Sequence, residues 1–256
     1  MYSLLKKTRL KLLVRNWLIA FLYPKPLIGF CYLPRFFSHW IQYAKSAVID
    51  TINISDLQPC LGDWSEHTPF DAHYFYQGAW LARKVYAAKI AKHVDIGSSV
   101  LTISVLSAQV ETVFVDYRPL KASLSGLTSI AGNILDLPFK ENSLDSLSCL
   151  HVIEHIGLGR YGDPIDPLGS VKASLELQRV VKRDGSLYLS LPVGRERVCF
   201  NAHRVHSPIS VLKMFPQMKL IEFSYVDDSG CYLEKRLVMD AADLEYGCGM
   251  FHFQKL

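Results

Sequence analysis

The sequence predicts an α/β fold: a mostly parallel sheet that ends in a C-terminal antiparallel hairpin, preceded by a helical N-terminal extension. Three observations carry this reading. From about residue 70, short apolar runs of strand length alternate with amphipathic helical stretches, the pattern of a parallel sheet covered on both faces. The tail breaks that alternation, with two strand-like runs (219–226 and 248–254) separated by a long excursion. Charge is also unevenly placed. Residues 1–49 carry eight basic side chains and no Asp or Glu, although the 256-residue chain has a net charge of only +4. The basic character belongs to the extension, so a general nucleic-acid surface is not expected.

In the extension, Leu10, Leu13, Val14, Trp17, Leu18 and Phe21 recur at helical spacing, with Lys7, Lys11 and Arg15 on the other side. The apolar run 17–23 is far short of the ~20 residues that span a bilayer. Pro24, Lys25 and Pro26 follow it, so no small-residue cleavage site marks a signal peptide. Aromatic and basic residues without acids between Trp17 and Tyr43 match an interfacial membrane element. The competing reading is a helix that packs on the main domain. The expected organisation is an extension over 1–69 and a main domain over 70–256, with residues 1–45 touching a membrane surface. Six dispersed cysteines form no C-x-x-C pair and have no zinc-type histidine spacing. They predict reduced thiols and no metal, in a cytoplasmic protein peripheral to the inner face of a membrane.

The main domain reads as follows. Asp71 caps a helix to about residue 91, with Phe75, Ala79, Leu81, Ala82, Val85 and Tyr86 as its apolar positions. A strand at 93–96 ends at Gly97-Ser98-Ser99, and a short helix spans 100–108. Strands follow at 112–116, 127–131 and 144–150. A helix over 167–182 turns at Asp184-Gly185 into a strand at 186–191. Ligands bind beyond the carboxyl ends of strands in such sheets. There the sequence places Asp95-Ile96-Gly97-Ser98, where a small-residue turn admits a ligand close to backbone N–H groups. It places Asp116 at the end of the second strand, where a carboxylate accepts from both hydroxyls of a ribose. Gly132–Phe139 (GNILDLPF) follows the third strand, and His151–Ile156 (HVIEHI) follows the fourth.

In this order and spacing, residues 70–256 resemble the class I S-adenosylmethionine (SAM)-dependent methyltransferases, which have a Rossmann-like sheet. The runs 151–167 and 246–253 are similar to a group of bacterial and nematode methyltransferase-like proteins of unknown function. The resemblance implies SAM as cofactor and transfer of its methyl group to a small-molecule acceptor. It implies that Asp95, Gly97 and Ser98 line the methionine end, Asp116 holds the ribose, and Tyr117 lies beside the adenine. Asn133 and Ile134 would meet the adenine ring, and His151 would stand near the sulfonium.

In the loops after the fourth and fifth strands, His155 is the candidate general base, with Glu154 beside it. Arg160, Asp163, Arg195, His203 and Arg204 are candidate acceptor residues, with Arg197 and His206 nearby. Arginines there suit an anionic acceptor such as a sugar or lipid-linked glycan. Tyr74, Tyr76, Gln77 and Trp80 read either as a lid over the cofactor or as helix packing. Ser99 and Leu101 stand where the family's turn usually has glycines, which keeps a catalytically degenerate binding or scaffold protein as an alternative. A nicotinamide (NAD) oxidoreductase is the third reading, and it lacks its G-x-G-x-x-G. Nothing in the sequence fixes an oligomeric state.

Overall fold

A computed structural model describes residues 14, 26–47, 50 and 52–256. The predicted apolar face around Leu10–Phe21 lies outside these residues, apart from Val14. The chain divides into two compact units, Met1–Pro69 and Phe70–Leu256. In the first, helix α1 (Pro26–Ser46) has no acid in its first turn and contains Pro34. Arg35 of this helix reaches the Leu61 carbonyl at 3.5 Å and lies over the rings of Tyr32 and Trp64. No described helix is long and apolar enough to cross a membrane.

The second unit is built on an eight-stranded sheet ordered β3-β2-β1-β4-β5-β10-β8-β9. Strands β1 (Lys92–Ile96), β2 (Glu111–Asp116), β3 (Leu127–Ala131), β4 (Leu144–Leu150) and β5 (Val181–Val193) pair in parallel. Strand β10 (Gly247–Lys255) pairs antiparallel with β5 and with β8 (Met218–Val226), and β9 (Tyr232–Leu233) edges the sheet. The inner parallel strands read as near-continuous apolar runs because both faces are covered. Helices α2 (Ala72–Ala88) and α3 (Val100–Leu106) cover one face through Trp80, Leu81, Val85, Ile103 and Leu106. Helices α4 (Gly169–Val180) and α5 (Pro208–Met214) cover the other through Ala173, Leu177, Val180 and Val211. Each such fully buried aliphatic side chain contributes roughly 1.5–3 kcal/mol of transfer free energy.

Asp71 caps α2 by accepting from the Tyr74 N–H at 3.1 Å. The buried face of this helix is rotated from the expected one. Gln77, Trp80, Leu81 and Val85 are buried, whereas Phe75 and Tyr86 are exposed. Gln77 tolerates burial because its amide oxygen accepts from Ser190. Trp80 is core, not a lid. On α4, Val171 and Leu175 are exposed rather than inward. Strand β5 starts at Val181, earlier than expected, because Asp184 takes a left-handed φ of 61° and the chain bulges without leaving the sheet. A small hairpin of β6 (Arg197–Cys199) and β7 (His203–Val205) follows β5.

Candidate functional site

Strand order reverses between β1 and β4, so a crevice opens beyond the carboxyl ends of β1, β2 and β4. Gly97 forms its floor at φ +66°. A Cβ there would come within 3.3 Å of the Val152 methyls and 3.6 Å of Asp116 Oδ2. Glycine therefore keeps a narrow cradle open between the first turn and the second strand. Asp116 is half-buried, and its Oδ1 accepts from the Arg118 N–H at 2.7 Å. Tyr117 is exposed beside it. Asn133 is exposed, with its Oδ1 accepting from the Leu135 N–H at 2.9 Å, and Ile134 is buried next to it. Leu101 is 77 % exposed on α3 and does not press on the turn.

Asp95 and Ser98 stand at the first turn with their side chains bonded into the protein. Asp95 is fully buried and accepts from the Ser98 N–H at 3.0 Å, the Ser98 hydroxyl at 2.6 Å and the Ser148 hydroxyl. The Ser98 oxygen in turn accepts from the Leu150 N–H at 3.0 Å. Both side chains tie the turn to β4, so only backbone at this turn is left for a ligand. Burial raises the Asp95 carboxyl to about 6, against the pull of its serine partners.

His151 follows β4 directly. Its imidazole is almost wholly covered and stacks against the rings of His73 at 5.6 Å and Tyr74 at 5.5 Å. Nδ1 lies 2.9 Å from Glu154 Oε1, and Nε2 lies 3.3 Å from the Cys248 sulfur. Burial alone would depress this imidazole, but Cys248 and Glu154 raise it to about 10. Glu154 is fully buried. Burial pushes its carboxyl up, His151 and His155 pull it down, and the net direction is down. His155 Nδ1 lies 2.7 Å from the Ala202 carbonyl, and its Nε2 is 3.7 Å from Glu154 Oε1. Burial lowers the His155 pKa against the opposing pull of Glu154. His203 packs against Tyr246, which packs against His73.

The predicted acceptor residues divide. Arg160 donates to the Ala202 carbonyl at 3.0 Å, and its guanidinium lies 5.1 Å from the Tyr161 ring, which Arg118 also approaches at 4.8 Å. Arg195 is exposed and pairs with Glu245 at 2.9 Å. Arg204 is a correction. It is buried and donates to the carbonyls of Glu154, Ile156 and Asp166 and to the Ser170 hydroxyl, so its donors hold the chain itself. Asp163 is likewise a loop-shaping residue, accepting from the Gly157 and Tyr161 N–H groups. Sequence reasoning missed His73, Tyr246 and Cys248. The run 246–253 was noticed as a motif, but nothing local in it marks the cysteine as a neighbour of His151.

The fold has known counterparts. It is similar to the 1,6-didemethyltoxoflavin-N1-methyltransferase of Burkholderia thailandensis at 13 % identity, over 72 % of this chain and 79 % of that one, with a TM-score of 0.52. It is similar to a geranyl diphosphate methyltransferase at 11 % identity, over 71 % of this chain and 85 % of that one, with a TM-score of 0.50. The sheet is thus of the class I SAM methyltransferase type. An uncharacterized protein of Methanocaldococcus jannaschii is 31 % identical over 87 residues, and the match spans 32 % of this chain and about a third of that protein's length. Residues 92–245 match one family over more than half of the chain, and the chain belongs to it: the family described as Caenorhabditis protein of unknown function, DUF268.

Proposed function

We propose that this protein transfers a methyl group from SAM to a small-molecule acceptor. The carrying observation is the Gly97–Asp116 cradle at the switch point of a class I methyltransferase sheet. The cradle fits the adenosine half of the cofactor. Asp116 Oδ2, left facing Gly97, would accept from the ribose hydroxyls, while Arg118 N–H fixes Oδ1. Ile134 and Tyr117 would flank the adenine, Asn133 would meet its edge, and the Gly97–Ser98 backbone would line the methionine end. Bound SAM supplies an electrophilic methyl group on a sulfonium.

A hydroxyl acceptor must lose a proton as it attacks. His155 suits this role. Its Nδ1–H donates to Ala202, so Nε2 is the basic nitrogen, and burial favours the neutral ring. Glu154, 3.7 Å away, would stabilise the imidazolium that results. The acceptor in this reading is an anionic sugar or a lipid-linked glycan, met by Arg160, Arg195 and His203. The extension would hold the protein at the inner face of a membrane, as a peripheral cytoplasmic protein; eight cations and no acid in residues 1–49 support this.

Calorimetric titration with SAM, S-adenosylhomocysteine and NAD tests the cofactor. SAM and its product are expected to bind and NAD not to, and Asp116→Ala is expected to weaken SAM by about 1.5–3 kcal/mol as charge-assisted hydrogen bonds are lost. Binding of NAD alone, or of nothing, overturns the reading. Partition to anionic liposomes tests the extension: if deletion of residues 1–45 leaves it unchanged, the membrane role is wrong.

A further inference from the structure

The sequence predicts no zinc site because its cysteines lack the short-range partners of one. The fold supplies partners at long range. His73 in the first turn of α2, His151 after β4 and Cys248 at the start of β10 meet at the carboxyl edge of the sheet. One donor atom from each lies within 4.8 Å of the other two, and His151 Nε2 is 3.3 Å from the Cys248 sulfur. We propose that His73, His151 and Cys248 bind one dication of the zinc class and leave its fourth position open to solvent or substrate.

Four observations support the site. A tetrahedral shell with Zn–N of about 2.0–2.1 Å and Zn–S of about 2.3 Å has donors roughly 3.3–3.8 Å apart. The His151–Cys248 edge already has that length, and His73 closes the shell by a shift of about 1 Å. The His151 ring is oriented from behind, as metal-bound histidines are. Glu154 holds His151 Nδ1 at 2.9 Å, which leaves Nε2 facing Cys248, and His73 has a backbone hydrogen bond to Tyr246. His151 takes a left-handed φ of 55°, a backbone state that directs this side chain inward at the cost of strain.

Charge is the third observation. Glu154 is fully buried, and its Oε1 lies 2.9 Å from His151 Nδ1. A dication offset by the Cys248 thiolate and the Glu154 carboxylate leaves the site neutral, with the proton shared between His151 Nε2 and the Cys248 sulfur released to solvent on binding. Access is the fourth. A cavity of about 470 Å³ borders His73, the outermost of the three residues, and carries Asp71, Asp227 and Asp228 beside the Arg195-paired Glu245, an acidic mouth that attracts cations. It shares no residue with the Gly97–Asp116 cradle. Two imidazoles and a thiolate select zinc or cobalt over magnesium or calcium.

The test is titration of the chelator-stripped full chain with Co²⁺. One equivalent is expected to bind with a near-ultraviolet thiolate-to-cobalt charge-transfer band. Zn²⁺ is expected to displace it and Mg²⁺ not to. Cys248→Ser is expected to abolish the band, and Glu154→Gln to weaken Zn²⁺ binding 10–100-fold. His73→Ala, at the cavity rim and checked for folding by circular dichroism, is expected to lose the same band. Absence of a saturable equivalent in the unaltered chain overturns the proposal without any variant. A band that survives Cys248→Ser also overturns it, since the exposed Cys31, Cys60 and Cys231 would then be the ligands. The readout is metal, not methyl transfer, so it stands or falls apart from the cofactor reading.

Discussion

Ser148 shows how much one small side chain holds at the base of the crevice. His93 is completely buried between two serines, with Nδ1 2.7 Å from the Ser146 oxygen and Nε2 2.8 Å from the Ser148 oxygen. The Ser148 hydroxyl donates to Asp95, so it must accept from His93, which places the imidazole proton on Nε2 and leaves Nδ1 to accept from Ser146. Removing that hydroxyl strands a buried donor on His93 and one acceptor site on Asp95. Ser148→Ala is therefore expected to lower the unfolding free energy by about 1–3 kcal/mol in urea melts. A loss under roughly 0.5 kcal/mol, the range of a surface substitution, contradicts the network. The D-x-G-S turn was legible in the sequence, but the direction of Asp95 was not. In a strand covered on both faces, alternation carries no information about which way a polar side chain points.

At the scale of elements, the strands and helices were legible where the apolar period is clean, as in β2, β3 and β4. The loop after β4 was not, because its order comes from a distant residue. Arg204, on the β6–β7 hairpin, donates to the carbonyls of Glu154, Ile156 and Asp166 and so fixes the segment that carries Glu154 and His155. In a sequence, a loop arginine looks the same whether it waits for an anion or satisfies buried carbonyls, which is why it read as an acceptor residue. Gly157 adds a second restraint: at φ +81° it lies so close to the Asp166 carbonyl that a Cβ has no room. Arg204→Met keeps the unbranched stem of the side chain and removes its donors. It is expected to cost about 1.5–3 kcal/mol, the scale of charge-assisted hydrogen bonds. Amide exchange should accelerate across residues 153–168 while β1 and β2 keep their protection. Uniform acceleration across the sheet would mean that Arg204 supports the whole fold and not this loop.

For the whole molecule, the class of sheet was legible because five parallel strands and an antiparallel tail leave few topologies open. The convergence of residues 73, 151 and 248 was not legible, since β10 inserts between β5 and β8 only through long-range pairing. The same sheet sets how stability responds to acid. Burial lowers His93 to about 3, so the unfolded chain takes up this proton first, near the ordinary histidine value of 6.5. The stability it contributes is complete above that value and is lost as the pH falls toward 3. His252, lowered by burial to about 4, acts in the same sense. Asp95 opposes them. Its folded value of about 6 lies above the ordinary 3.8, so its contribution is complete below 3.8 and is lost as the pH rises through 6. The two histidines together are displaced further than the one carboxyl, so the net stability is expected to decline between pH 6.5 and 4. Urea midpoints taken at steps across that window measure the slope. His93→Gln can keep both serine contacts without titrating, and its slope should be shallower than that of the unaltered protein. An equal slope in the two proteins would refute the assignment to His93.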